Sequence, residues 1–189
     1  FSNKYNYQVK KIKLAFKNLP NSFKGLKIVH ISDIHTGSFN DKKAVQHGID
    51  LVLKQSPDII LFTGDLVNDR HDEMIEFMDV FNQLKSKHGV YSVLGNHDYG
   101  DYVAWPSVQA KAENLEELKQ VHAKLGWKLL MNEHVAIEKN NAAFALLGIE
   151  NWGAKGRFPK YGKMKEAYPG TEKYPFKILP STLKELAKS

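Results

Sequence analysis

Three short apolar runs punctuate the first half of the chain: residues 26–31 (LKIVHI), 58–63 (DIILFT) and 89–94 (GVYSVL). They are rich in Ile, Val and Leu, too short for buried helices and bounded by turn-forming residues, which suits parallel strands covered on both faces. Between them, residues 41–54 place Ala44, Val45, Ile49, Val52 and Leu53 on roughly one stripe. Residues 72–84 do the same with Met74, Phe77, Met78, Phe81 and Leu84. Strand and helix alternating about every 30 residues predicts successive βαβ units and a right-handed, mostly parallel sheet.

The flanking segments follow other patterns. In residues 9–17 Ile12, Leu14 and Phe16 alternate with Lys11, Lys13 and Lys17, which predicts an edge or half-exposed strand. Asn114 with Glu117 three residues later predicts a capping box opening a helix that runs through Leu125 to Gly126. Residues 128–131, 134–139 and 143–149 read as strands, the last two joined as a hairpin over Asn140 and Asn141. Residues 151–175 hold four glycines and three tyrosines and read as a long irregular loop, of the kind that is usually functional. One more strand is expected at 175–179 and a short amphipathic helix at 180–189, capped by Ser181 or Thr182. There is no internal repeat.

Composition narrows the picture. A chain of 189 residues with 42% hydrophobic residues suffices for one substantial core, so residues 1–189 are read as a single domain. Zero cysteines exclude disulfides and thiolate metal sites and leave His, Asp, Glu and Asn as metal ligands. The net charge of +6 is unevenly spread. Residues 1–32 carry seven lysines and no acid, residues 155–189 carry nine basic residues against three acidic, and the segment between has a net charge of −7. An acidic middle suits a cation site, while the basic ends suit an anionic membrane surface or a solvated face. They lack the interleaved aromatics of a nucleic-acid groove, so no specific nucleic-acid partner is expected. No apolar run approaches the roughly 18 residues of a membrane span. The start at Phe1, with neither initiator Met nor signal peptide, reads as that of an excised piece of a longer protein.

Each of the three apolar runs ends in polar residues able to bind metal: Ser32-Asp33-Ile34-His35, Thr63-Gly64-Asp65 and Gly95-Asn96-His97-Asp98. Asp33 and Asp65 are 32 residues apart and Asp65 and Asn96 are 31 apart, one βαβ unit each. Adjacent parallel strands therefore deliver all three groups to the carboxyl edge of one sheet, where open α/β sheets place their ligands. Asp33 and His35, two residues apart, can face one ion. A carboxylate such as Asp65 has two oxygens with which to bridge two divalent ions about 4 Å apart, and Asn96 offers the second ion a neutral oxygen. Such a pair turns a bridging water into hydroxide and clamps phosphoryl oxygens. Gly64 and Gly95 let the backbone turn closely at the rim.

The motifs D-x-H, G-D and G-N-H-D, in this order and spacing over about residues 26–100, resemble the calcineurin-like metallophosphoesterases. The resemblance implies a βαβαβ core of a layered α/β sandwich. It also implies a metal-dependent phosphohydrolase cleaving a phosphomonoester, phosphodiester or pyrophosphate bond with two divalent ions, manganese first, with zinc or iron as alternatives. Asp33 and His35 would bind the first ion, Asp65 bridge, and Asn96 bind the second. His97 would contact the phosphate or protonate the leaving oxygen, oriented by Asp98. The wording ISDIHTGSF, FTGDLVND and YSVLGNHDYGDY is most similar to a bacterial membrane-associated branch, some of whose members act on nucleotide-linked lipid precursors.

The family completes its site with a later His and a G-H-x-H turn, yet none of the eight histidines lies beyond His134. The chain is therefore expected to be truncated or gapped in its C-terminal half. The alternative is a non-catalytic binding or scaffolding domain with half a site. His30 is expected to be packed or hydrogen-bonded within its strand, and His47, His71, His88, His122 and His134 to be surface residues. Asp69, Arg70 and His71 lie close enough to Asp65 to reach substrate. Trp105, Trp152, Phe158 and Tyr161 read chiefly as packing residues, with an apolar substrate wall as the second reading.

Overall fold

The computed structural model describes residues 4–153 and 159–180. Four strands among them, β1 (Ile28–Ile31), β2 (Ile59–Phe62), β3 (Val90–Ser92) and β4 (Lys128–Leu129), pair in parallel in that spatial order. The crossovers carry α1 (Lys42–Leu53), α2 (Met78–Phe81) and α3 (Val108–Lys124). A second sheet joins β5 (Glu133–Lys139) antiparallel to β6 (Ala142–Gly148), and β6 in parallel to β7 (Lys177–Ile178). Asn140 and Asn141 take φ of +50° and +60°, the left-handed pair that a two-residue hairpin requires, as their sequence predicts.

β2 explains the layering. All four of its residues are buried. Ile60 and Phe62 pack with Val45, Ile49, Val80 and Leu118 under the helices, whereas Ile59 and Leu61 pack with Phe23, Ile137, Phe144 and Leu146 of the second sheet. Successive side chains of a strand point to opposite faces, so an uninterrupted apolar run is what a strand between two layers needs. The result is a helix layer, a parallel sheet and a second sheet. This is the expected α/β architecture, with the sheet's carboxyl edge left for the loops after β1, β2 and β3.

Several local expectations are corrected. Residues 9–17 form no strand. Ahead of the segment the Tyr5 hydroxyl accepts from the amides of Asn40 and Asp41, and near its far end Phe16 meets Phe176 at 5.0 Å. Val9, Ile12, Leu14 and Phe16 remain 39–45% exposed, because alternation specifies a two-faced chain but not a strand to pair with. α3 starts at Val108, not Asn114, because Ser107 caps it by accepting from the Ala110 amide at 3.0 Å. Asn114 is instead buried within the helix and bridges the His71 amide and the Asp69 carbonyl. The stripe at 72–84 becomes a 3-10 helix over His71–Phe77 followed by the single turn of α2. Within the expected loop 151–175 lies the short α4 (Met164–Ala167), while Phe158 and the expected helix beyond Pro180 lie outside the described residues. No helix among the described residues is long and apolar enough to cross a membrane.

His122, expected at the surface, is fully buried on α3 beside Phe62 and Trp127, with neither ring nitrogen hydrogen-bonded among the described residues. Burial pushes its pKa down to about 3 from 6.5. The unfolded chain therefore takes up a proton near pH 6.5 that the folded chain refuses. Stability from this group is complete above pH 6.5 and drains as pH falls toward 3, by up to about 1.4 kcal/mol per pH unit. Urea midpoints at pH 7 and pH 5 are expected to differ less in His122→Leu than in the wild type. An unchanged difference would contradict this assignment.

Candidate active site

The parallel register of β1, β2 and β3 brings their following loops side by side. The first two continue the ladder past the strands: the Asp33 amide donates to Gly64 O, His35 N to Asp65 O, and Thr36 N to Leu66 O, each at 3.0 Å. Asp33, His35 and Asp65 all adopt left-handed backbone, with φ of +55°, +52° and +59°. L-residues enter that region at a cost of about 1–3 kcal/mol each, and such strain persists only where the surroundings over-determine it. Gly64, at φ +92°, lies so close to Gly95 that a β-carbon on it would strike the Gly95 backbone, and a β-carbon on Gly95 would strike Asp65. Both glycines are thus required by the close approach of the second and third loops.

Two carboxylates supply the over-determination. Asp98, fully buried, accepts four amides: Asp65 N and Gly95 N on Oδ2, both at 2.8 Å, and Leu66 N (2.8 Å) and Val67 N (3.3 Å) on Oδ1. Burial pushes its carboxyl up to about 7, against the pull of the amide donors. Every one of these contacts aims a donor at its oxygens, so the geometry is that of the carboxylate. Glu73, which sequence reasoning missed, accepts from the amides of Gly37, Asn68, Asp69 and Arg70. It binds the loop after β1 to the loop after β2.

Held in this way, Asp33, His35 and Asp65 each direct one ligand atom into a space where all three atoms lie within 4.8 Å of one another. Ligands of one ion at about 2.0–2.2 Å from it fall within this separation, so the donor set fits a divalent metal. His35 Nε2 lies 3.9 Å from Asp65 Oδ2, and Asp65 Oδ1 accepts the His97 amide at 2.9 Å. Asp33 is exposed, which leaves the site open on one side. Asn96 donates through Nδ2 to the Tyr102 hydroxyl at 2.8 Å. The His97 ring lies 4.7 Å from that of His35, edge to face, and its Nδ1 meets the Asn68 carbonyl at 2.8 Å. A carbonyl only accepts, so Nδ1 carries a proton toward Asn68 and Nε2 is the nitrogen left for contacts within the site. The expected orientation of His97 by Asp98 is therefore corrected: the Asn68 carbonyl does that work, and Asp98 holds backbone.

The other named residues fall into place around this centre. His30 contacts Thr63 Oγ1 at 2.7 Å, a hydrogen-bonded strand histidine as expected. Asp69 accepts the Tyr102 amide, and Arg70 lies over the Trp105 ring at 4.5 Å. Arg70, His71, Trp105 and Asn114 line a cavity of about 330 Å³. Tyr161 stacks on Tyr99 at 3.7 Å, and the Tyr99 hydroxyl donates to Glu150 at 2.6 Å, joining the third loop to the end of β6. Trp152 is 53% exposed.

Asp98→Asn replaces an oxygen acceptor by an NH₂ that faces amide donors. Loss of two charge-assisted bonds is expected to cost about 3 kcal/mol or more, read from urea unfolding, while Asp33→Asn leaves stability within about 0.5 kcal/mol of wild type. Equal effects of the two substitutions would contradict this division between scaffold and site.

The family model for calcineurin-like phosphoesterases matches residues 26–175. Over 155 residues the chain is 28% identical to a transmembrane protein with metallophosphoesterase domain from Danio rerio, covering 80% of this chain and 33% of that protein. Over 132 residues it is 31% identical to the uncharacterized metallophosphoesterase YkoQ of Bacillus subtilis (strain 168), covering 68% and 44%. Over 91 residues it is 37% identical to the UDP-2,3-diacylglucosamine pyrophosphatase LpxG of Chlamydia trachomatis serovar D, covering 46% and 28%. The chain spans less than half the length of each of these relatives.

Proposed function

The chain belongs to the calcineurin-like phosphoesterase family, and from that premise we propose that it hydrolyses a phosphate ester or pyrophosphate bond using two divalent ions at the carboxyl edge of the parallel sheet. The convergence of Asp33, His35 and Asp65 within 4.8 Å carries this reading. Asp33 and His35 would hold the first ion, Asp65 would serve both, and Asn96 would offer its amide oxygen to the second. Divalent ions at such a site supply Lewis acidity, polarising the phosphoryl group and lowering the pKa of water. The protein's own contribution is to fix the donors before substrate arrives and to present His97 Nε2 to a phosphoryl or leaving-group oxygen. Oxygen and imidazole donors suit manganese first and accommodate iron or zinc.

The substrate class we propose is a phosphorylated small molecule or a lipid-linked pyrophosphate, in a bacterial protein working at a membrane surface. The name of the Chlamydia relative supports the lipid-linked class. So does the segment before β1, where exposed Val9, Ile12, Leu14 and Phe16 lie among exposed Lys11, Lys13 and Lys17. Apolar side chains beside clustered lysines suit an interface with anionic headgroups. A second reading, a non-catalytic domain of the same fold, rests on the small donor set of Asp33, His35, Asp65 and Asn96 for two ions.

In the natural full-length protein, Asp65→Ala is expected to abolish both manganese binding and turnover of a phosphodiester. Chelation is expected to abolish turnover reversibly, with recovery on adding Mn2+. Retained activity in Asp65→Ala overturns the assignment, and metal binding without any turnover favours the non-catalytic reading. Separately, the protein is expected to co-sediment with phosphatidylglycerol vesicles at low salt. The triple variant Lys11→Ser, Lys13→Ser, Lys17→Ser should release it, by on the order of a hundredfold in partition. Equal binding of the variant, or equal binding to neutral phosphatidylcholine, contradicts the electrostatic surface.

A further inference from the structure

Tyr102 lies outside the three metal motifs, six residues beyond Asn96, yet it touches two of the residues assigned to the site. Its hydroxyl accepts from Asn96 Nδ2 at 2.8 Å. Its ring faces that of His97 at 4.5 Å with a tilt of 36°. Its own amide donates to Asp69 Oδ1 at 3.1 Å, and the turn leading to it is pinned where Trp105 Nε1 donates to the Gly100 carbonyl at 2.7 Å. The loop that follows the third motif thus returns Tyr102 over the site instead of leading away from it.

The chemistry of the carboxamide gives this contact a consequence. Asn96 has one side-chain oxygen and one nitrogen, on opposite sides of the Cγ–Cβ axis. With Nδ2 committed to Tyr102, Oδ1 is the end turned away from the hydroxyl and free to act as a ligand. His97 is confined as well: its ring has Tyr102 tilted against it at 4.5 Å, meets His35 edge-on at 4.7 Å, and is tethered through Nδ1 to Asn68. We propose that Tyr102 is a positioning residue, whose hydroxyl fixes the Asn96 amide with its oxygen toward a divalent ion and whose ring sets the plane of His97. This rests on the phosphoesterase reading above and adds to it a residue that acts on both the second ion and the imidazole.

Tyr102→Phe and Tyr102→Leu separate the two contacts, with Mn2+ binding to the natural full-length protein followed by titration calorimetry and turnover followed at limiting and saturating Mn2+. Tyr102→Phe keeps the ring and is expected to weaken the looser Mn2+ step about tenfold, with kcat restored at saturating Mn2+. Tyr102→Leu is expected to show the same weakening and a fall in kcat that excess Mn2+ does not restore. A merely structural tyrosine would lower the urea midpoint without moving Mn2+ affinity. Wild-type Mn2+ affinity in Tyr102→Phe overturns the proposal while leaving the phosphoesterase reading in place. Absence of Mn2+ binding by the wild-type protein overturns both.

Discussion

The buried carboxylate of Asp98 is the constraint on which the rest of the site depends. Four amides from two different loops end on its two oxygens, and three of those amides belong to the consecutive residues Asp65, Leu66 and Val67. Without that acceptor the amides of Asp65, Leu66 and Val67 would be buried donors lacking a partner, at a cost of about 1–3 kcal/mol apiece. With it, the loop after β2 can hold Asp65 in a left-handed conformation that its side chain does not favour. Glu73 performs the same service one layer out, gathering amides from the loops after β1 and β2. The geometry of the Asp33, His35 and Asp65 cluster is therefore set by carboxylates that stand outside it.

This division of labour accounts for the exposure pattern. The ends of the hydrogen-bonded scaffold are dry: Asp98 and Leu66 are fully buried, and Gly64 and Gly95 close the gap between loops. The groups that would meet substrate are wetter, with Asp33 exposed and His35, Asn96 and His97 of intermediate burial. A rigid rear and an open front are what a hydrolytic site needs, because donors must be placed in advance while a phosphate and water still enter. The two-sided burial of β2 underlies both. Helices on one face and the second sheet on the other fix the strand from whose end Asp65 projects.

How far the sequence revealed this depends on the range of each interaction. The run IILF of β2 was legible because burial on both faces writes an unbroken apolar string. The D-x-H, G-D and G-N-H-D groups were legible because strand ends at one-unit spacing must share a sheet edge. Asp98 was visible as a residue but its partners were not, since bonds across 31–33 residues leave no local signature. Glu73 was missed because its bond to Gly37 spans 36 residues, and Tyr102 because its contacts with Asn96 and His97, though near in sequence, depend on the turn that brings its ring back over the site. Asn114 and residues 9–17 misled in the opposite direction: a capping pattern and an alternation are local signals, and tertiary contacts overrode the first while no partner strand took up the second. His122 read as a surface histidine because nothing in its neighbours announced that Phe62 and Trp127 would enclose it.

Three left-handed loop residues, held by carboxylates behind them, are proposed to present one metal centre. Anomalous diffraction at the manganese edge, from crystals of the natural protein grown with Mn2+, tests it most directly. A peak is expected at about 2.0–2.3 Å from side-chain atoms of Asp33, His35 and Asp65, with Asp98 still bound to its four amides. No peak among Asp33, His35 and Asp65, or a manganese ion bound by Asp98, would contradict that arrangement.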